Sequence, residues 1–452
     1  MTLTRRHLVA SALLAPFSAR AEDDGFIMLE AREASLPLAP APALETPVWG
    51  FNGLVPGPLL RIKKGAELKV RLVNKLAQPT SLHFQGVRGP NAMDGVAGLT
   101  QAAVAPGASF DYRFTPADAG TFCYRPGGVE VAAEQNARGL YGLLVVDEAE
   151  PPAVDLDLPL VIADWRLDAK GGISGPFPDP TAAAGAGRVG DLVTVNSAAM
   201  PLVVPLHPGA RARLRFHNAC GSQLMALMFR DIRAFVIAVD GQPCDPFEPL
   251  HSTLPLAPGT RFDIIADIFP RGTPGPAVVL RGGGLRGDPQ ASDRDLVAFH
   301  ATDEAPLDPR PVFPGLTLNS LLPPEIHLEK AKRLDIVIEG PGKIFPRLWS
   351  LNGGAGAVGG KPLFSVKKGQ PVTLGFVNRT PVVQCLHAHG HVMRVLHLLD
   401  DGWEPYWRDT VTVAPGKTSR VAFIADNPGK WLVESAIFDH AAAGARAWFE
   451  VV

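Results

Sequence analysis

The stretch NGLVPGPLLRIKKGAELKVRLVN (residues 52–74) decides the fold, because the chain writes it three times. Residues 196–218 read NSAAMPLVVPLHPGARARLRFHN, and residues 352–378 read NGGAGAVGGKPLFSVKKGQPVTLGFVN. In each copy a glycine closes a turn and an alternating segment follows, ending at Asn74, Asn218 or Asn378. Alternation as in LKVRLVN and VTLGFVN has period two, the period of a half-buried β-strand. Downstream of each copy stands A-P-G: VAPGASFDYRF from residue 104, LAPGTRFDIIADI from residue 256 and VAPGKTSRVAFIA from residue 413. Pro and Gly there make a turn that launches another strand. Repetition on this scale means repeated structural units. The expected fold class is all-β, with three consecutive β-sandwich domains over residues 25–148, 155–305 and 310–452. The linkers EAEPPAVDLDLP (148–159) and ATDEAPLDPRPVFPG (301–315) are rich in proline and polar residues. Residues 169–191, AKGGISGPFPDPTAAAGAGRVGD, read as a long loop.

Composition agrees with this reading. The chain has 452 residues, enough for two or three domains. Its 46 glycines and 44 prolines are spread along the whole length and fit a turn-rich all-β protein. A formal net charge of −2 gives no reason to expect a nucleic-acid partner. The N-terminus, MTLTRRHLVASALLAPFSARA (1–21), has Arg5 and Arg6 before an apolar run and an A-x-A site at Ala19–Ala21. It reads as a secretory signal, and the paired arginines point to the twin-arginine route. The apolar run is too short to span a membrane, so no transmembrane anchor is expected after its removal. Four cysteines are too few for a disulfide scaffold; Cys220 and Cys244 lie in one region and could pair, while Cys123 and Cys385 are far apart in sequence.

One segment carries metal-binding residue types. In VQCLHAHGH (383–391), His387, His389 and His391 occupy alternate positions, which a continuous strand would aim one way. The segment WLVESAIFDH (431–440) reads like the partner of such a site with the metal-binding residues replaced.

With LHFQGVRGPNAMDGVAGLTQ (82–101), LHAHGHVMRVL (386–396) and RDTVTVAPGK (408–417) in this order, the chain resembles the three-domain multicopper oxidases over nearly its whole exported length. The resemblance implies cupredoxin-like Greek-key domains. In active members a type 1 copper takes electrons from substrate, and a trinuclear cluster between the first and third domains reduces dioxygen. Four motifs supply the ligands. H-x-H-G is here His83-Phe84-Gln85-Gly86, so the type 2 histidine stands and Gln85 replaces a type 3 ligand. W-Y-H-P-H is Cys123-Tyr124-Arg125-Pro126-Gly127, without either type 3 histidine. H-P-x-H-x-H-G is Gln384-Cys385-Leu386-His387-Ala388-His389-Gly390, which keeps the type 2 and type 3 histidines but not the type 1 histidine. H-C-H-x-x-x-H is Glu434-Ser435-Ala436-Ile437-Phe438-Asp439-His440; Ser435 stands for the type 1 cysteine, and Ala445 stands at the axial position. Cys385 neighbours the type 1 position in a strand, so its side chain is expected on the other face.

Type 1 copper needs a thiolate and two imidazoles, and five of the six type 3 histidines are replaced. The full four-copper complement is therefore not expected. Two readings of the remainder stay open. In one, His83, His387 and His389, with Glu434 as a weaker candidate, hold one copper or zinc ion in a type 2-like corner. Asp94 matches an acidic residue that assists proton transfer in some members. In the other, Arg125 pairs with Glu434 in the cluster's volume, no metal binds, and the histidines, His440 above all, are relics. His207, His217, His251, His300, His327 and His397 match no ligand position and read as ordinary surface or strand residues. The functional expectation divides accordingly. The first possibility is a non-catalytic periplasmic binding or scaffold protein with a protein partner, resembling copper-free family members, exported by the twin-arginine route, that protect the cell-division machinery. The second is a copper-binding oxidoreductase with one residual mononuclear site.

Overall fold

The computed structural model describes residues 24–39, 44–128, 130–269, 274–284, 290–354, 358–397 and 402–452. The signal segment expected over 1–21 lies outside the described residues. The described chain forms six sheets, two for each copy of the repeat. In the first copy, the strands Thr46–Phe51, Ile27–Leu36, Leu68–Asn74 and Ser109–Phe114 make one sheet. Leu60–Lys63, Gly142–Asp147, Gly120–Arg125 and His83–Gln85 make the other. The second copy builds a seven-stranded and a five-stranded sheet, and the third a six-stranded and a five-stranded sheet.

The repeated asparagines explain why the copies fold alike. Each alternating strand runs parallel to the first strand of its unit, with Ala31 beside Asn74, Ile162 beside Asn218 and Ile338 beside Asn378. Asn74 Nδ2 donates to the carbonyls of Gln78 and Val104 at 2.9 Å each, and its Oδ1 accepts from Leu76 N. Asn218 repeats this with Gln223, Leu256 and Cys220. Asn378 repeats it with Val382, Val413 and Thr380. Val104, Leu256 and Val413 are the residues that precede A-P-G. Each asparagine thus satisfies buried backbone groups at the point where the next strand starts. Side chains of alternating positions fill one core per unit: Leu29, Val70 and Tyr112; Leu214, Phe216 and Ile264; Val372, Leu374 and Phe423, all fully buried. Burial of each such side chain contributes about 1.5–3 kcal/mol.

The first linker is pinned by charge. Arg213, 1% exposed, holds Glu148 and Asp263. Arg215 bridges Asp157, Asp263 and the Thr121 hydroxyl. The first linker's end, from Leu156, is already strand. Residues 169–191 are not all loop: Pro180–Ala184 form a short helix, whose first amides Asp179 caps at Thr181 N and Ala182 N. All four cysteines are buried and free, so Cys220 and Cys244 do not pair. His217 is a buried strand residue whose Nδ1 has no partner among the described residues. No helix among the described residues is long and apolar enough to cross a membrane.

Candidate metal centre

Two strand pairs meet where the first and third units touch. On His83–Gln85, His83 lies opposite Arg125 and Gln85 opposite Cys123. On Gln384–Ala388, His387 lies opposite Glu434. The side chains of His83, His387 and His389 converge, with ligand atoms within 4.8 Å of one another. His391 does not join them. The strand ends at Ala388, and Gly390 takes φ +66°, which breaks the alternation. His391 packs instead against Phe423, Trp431 and Phe449 in the third core. A side chain at residue 390 would meet the Trp431 ring at 2.3 Å, so only glycine lets the ring close over this turn.

The hydrogen bonds give His83 and His387 one state and His389 another. His83 Nδ1 lies 2.9 Å from the Asp94 carbonyl, and His387 Nδ1 lies 3.1 Å from the Asp409 carbonyl. A carbonyl only accepts, so both Nδ1 atoms carry the proton. Their Nε2 atoms face each other at 3.3 Å. His389 has its Nδ1 3.0 Å from the Asp94 carboxylate and its Nε2 3.5 Å from Glu434 Oε1. Burial works against charge on His389, but Asp94 and Glu434 outweigh it and lift its pKa to about 9. His83 stacks on it at 3.9 Å between ring centroids. Burial, reinforced by the charge of His389, pushes His83 down to about 3. Burial also lowers His387, against the pull of Asp409. For Asp94 and Glu434, burial alone would raise the pKa; the neighbouring cations reverse this and hold both well below the usual carboxylate range.

Arg125 completes the cluster. Its Nη2 donates to Glu434 Oε1 at 3.1 Å and its Nε donates to Gln85 Oε1 at 2.7 Å, with the guanidinium over the Phe438 ring. Both ion-pair side chains are 6% exposed. This is the pairing expected from the sequence. The sequence reading missed the outer layer. Gln85 Nε2 donates to the Gly259 carbonyl and to Thr410 Oγ1, so one side chain touches all three units. Arg261 donates to the Asp409 carboxylate and to the Thr121 carbonyl and does the same. Asp409 stands at the start of the strand Thr410–Val413, which pairs with His387's strand. Its place in RDTV beside an A-P-G turn was the available signal.

Sequence profiles described as multicopper oxidase match residues 35–151 and 327–452. A multicopper oxidase from Pseudomonas thermotolerans of known structure is 32% identical, with a TM-score of 0.81, covering 96% of this chain and 100% of that one. The chain belongs to the multicopper oxidase family. Multicopper oxidase MmcO of Mycobacterium tuberculosis is 28% identical over 432 residues, 87% of this chain and 81% of the relative. Cell division protein FtsP of Yersinia pestis is 30% identical over 230 residues, 49% of this chain and 46% of the relative.

The residues that the motif resemblance aligns with a type 1 site are also close together. His440 Nδ1 lies 3.2 Å from Gln384 Oε1, and its Nε2 lies 2.8 Å from the Gly185 carbonyl. Trp349 covers the ring, and burial pushes His440 down to about 4. Ser435 Oγ accepts from Ile437 N. Cys385 packs with Ala257, Ala436 and Ile437.

Proposed function

We propose that this chain is an exported multicopper-oxidase-like protein whose type 1 and type 3 positions no longer hold copper, and that it serves as a non-catalytic periplasmic binding or scaffold protein. The observation that carries this reading is the buried Arg125–Glu434 pair in the volume between the cluster motifs. A guanidinium is always charged and repels a metal cation at short range. The residue types elsewhere agree. Ser435 offers no thiolate, His440 has both nitrogens engaged, and a Cβ at Gly127 would meet the His83 Cβ at 2.5 Å. The two copper types that pass electrons in the family therefore do not fit these residues. Relatives named cell division protein favour a role in a protein assembly. Arg5 and Arg6 favour twin-arginine export, tested by whether Arg5→Lys/Arg6→Lys keeps the protein in the cytoplasm.

The chemical test is direct. The purified protein is expected to be colourless and without phenol-oxidase activity after copper reconstitution. A blue absorption band would overturn the proposal. Ser435→Cys alone is expected to leave it colourless, because Gln384 still replaces an imidazole.

The facing Nε2 atoms of His83 and His387 favour a second reading, a copper-binding oxidoreductase with one ion in a type 2-like corner. There His83 and His387 would hold the ion, which would supply Lewis-acid or one-electron chemistry, with Asp94 as the nearby acid–base group. Copper or zinc would then raise the melting temperature, and His83→Ala or His387→Ala would abolish the rise. His440→Ala would not.

A further inference from the structure

A long irregular segment connects the second and third units. Residues 302–327, between the strand Arg294–Ala301 and the single 3-10 turn Leu328–Lys330, contain neither helix nor strand. Connections longer than about 12–15 residues without regular structure are uncommon in compact proteins and usually carry a function. This strap runs beside Gln242–Phe247, the outer strand of the seven-stranded sheet, in the opposite direction. A Cβ at Gly315 would meet Pro246 Cδ at 3.0 Å. Asn319 Nδ2 donates to Gln242 Oε1 at 2.8 Å and to Asp118 Oδ1 at 2.7 Å. The strap does not join the sheet, because Pro243 and Pro246 offer no N–H to an added strand. From Val312 to Leu318, accordingly, no backbone group of the strap bonds to protein among the described residues.

The same segment walls a cleft of about 330 Å³ through Leu316 to Ser320, with Ala119, Ala149, Ala238 and Pro243 as further apolar lining. Val312, Leu318 and Leu321 are three of the nine exposed large apolar side chains among the described residues, so apolar exposure concentrates on the strap. Two charges at the cleft are unmatched. Glu148 is taken by Arg213, but Lys64 and Glu150 are exposed and make no ion pair among the described residues. Resting on the non-catalytic binding reading, we propose that residues 312–318 are the docking edge for an extended segment of a partner protein, which adds along the strap as a strand. Main-chain hydrogen bonds then supply affinity, and the cleft takes one apolar side chain as the anchor. A helix cannot use these groups, because its own backbone is satisfied internally. Lys64 and Glu150 favour one acidic and one basic residue beside the anchor. An extended strap of this length spans at most about 25 Å, which matches a partner segment of about seven residues.

The test presents the whole protein to an array of acetylated, amidated heptapeptides of systematically varied sequence. The peptides retained are expected to share one apolar residue with an acid and a base nearby. N-methylation of alternate amides, which leaves the side chains in place, is expected to abolish their binding. Leu318→Asp is expected to weaken it by about tenfold or more, while Val203→Asp, at an exposed apolar position elsewhere, leaves it unchanged. Amide hydrogen exchange of the wild type, independent of any variant's folding, is expected to slow across residues 312–318 when a retained peptide binds. Retention of no peptide overturns the proposal, as does binding that survives N-methylation or Leu318→Asp, or slowed exchange that leaves 312–318 untouched. A blue protein that binds these peptides at the strap removes the non-catalytic reading and leaves the docking edge standing. A colourless protein that binds none does the reverse.

Discussion

The pair Arg125–Glu434 allows a prediction worked from charge counting. Four charged groups share the buried cluster: Asp94 and Glu434 are negative, His389 and Arg125 positive. Their sum is zero. Glu434→Ala leaves two cations facing one anion with no water to solvate the excess. Breaking a buried pair this way costs about 3–5 kcal/mol. With an unfolding entropy of about 2.1 cal/mol/K per residue, a chain this long loses about 1 °C of Tm per kcal/mol, so the expected drop is about 3–5 °C. Arg125→Met/Glu434→Ala restores neutrality, because Asp94 and His389 remain as a matched pair. The double variant is therefore expected to be more stable than Glu434→Ala alone. A coupling energy of about 1.5–3 kcal/mol is expected from the full cycle. Calorimetry of the four proteins at low ionic strength reads the effect. Additive single costs, with a double variant at their sum, would show that the two groups do not depend on each other and would refute the charge accounting.

Three further outcomes are expected. Gly390→Ala places a methyl on the Trp431 ring and forces an unfavourable backbone region, for a loss of about 2–4 kcal/mol, measured as a shift in melting temperature; an unchanged midpoint would mean the turn is not held by Trp431. Asn218→Ala strips the carbonyls of Gln223 and Leu256 of their donor, at about 2–3 kcal/mol, and Asn218→Asp is expected to cost more, because a carboxylate oxygen then faces those carbonyls; the reverse order contradicts the clamp. Asp164 lines a small cavity of about 20 Å³, and burial pushes its pKa up to about 6. A raised pKa means the folded state holds the proton more tightly, so the contribution to stability is full below pH ~4 and lost as pH rises through about 6. Asp164→Asn, able to keep the bond from Gly190 N, is expected to match wild type at pH 4 and exceed it by about 1–3 kcal/mol at pH 7.5; a difference that stays flat across this range rejects the assignment.

The repeats were legible because their signal is local. A period-two strand ending in Asn and followed by A-P-G states its own hydrogen-bonding needs, and Asn74, Asn218 and Asn378 meet them identically. The histidines were legible in part. His83 and His387 come from strands 304 positions apart, and only the family resemblance placed them together. His391 was misread because alternation was carried past Gly390, where the backbone turns. The separate protonation states of His83 and His389 were invisible, since His389 meets a carboxylate at both nitrogens while His83 meets Asp94 at Nδ1 only and His387 at Nε2. Nothing in LAPGTRFDII says that the guanidinium of Arg261 crosses to Asp409.

The positions that differ from the family motifs are bound to one another, which bears on how such a centre can change. Gln85 Oε1 accepts from Arg125 Nε, while Gln85 Nε2 donates to Gly259 and Thr410. Arg125 in turn neutralises Glu434, which also receives His389. A histidine at position 85 would take the carbonyl acceptor from Arg125 and leave its Nε unpaired in the interior. A histidine at position 125 would leave Glu434 with one cation in place of two. A histidine at position 434 would leave Arg125 and His389 opposed. Each single reversal thus breaks a buried polar contact, with a penalty on the order of 1–3 kcal/mol or more where charge is left over, and gains no complete ligand set in exchange. The three side chains form one unit within the contact between the first and third repeats, which Arg88–Asp426, Asn91–Lys430 and Asp94–His389 also cross.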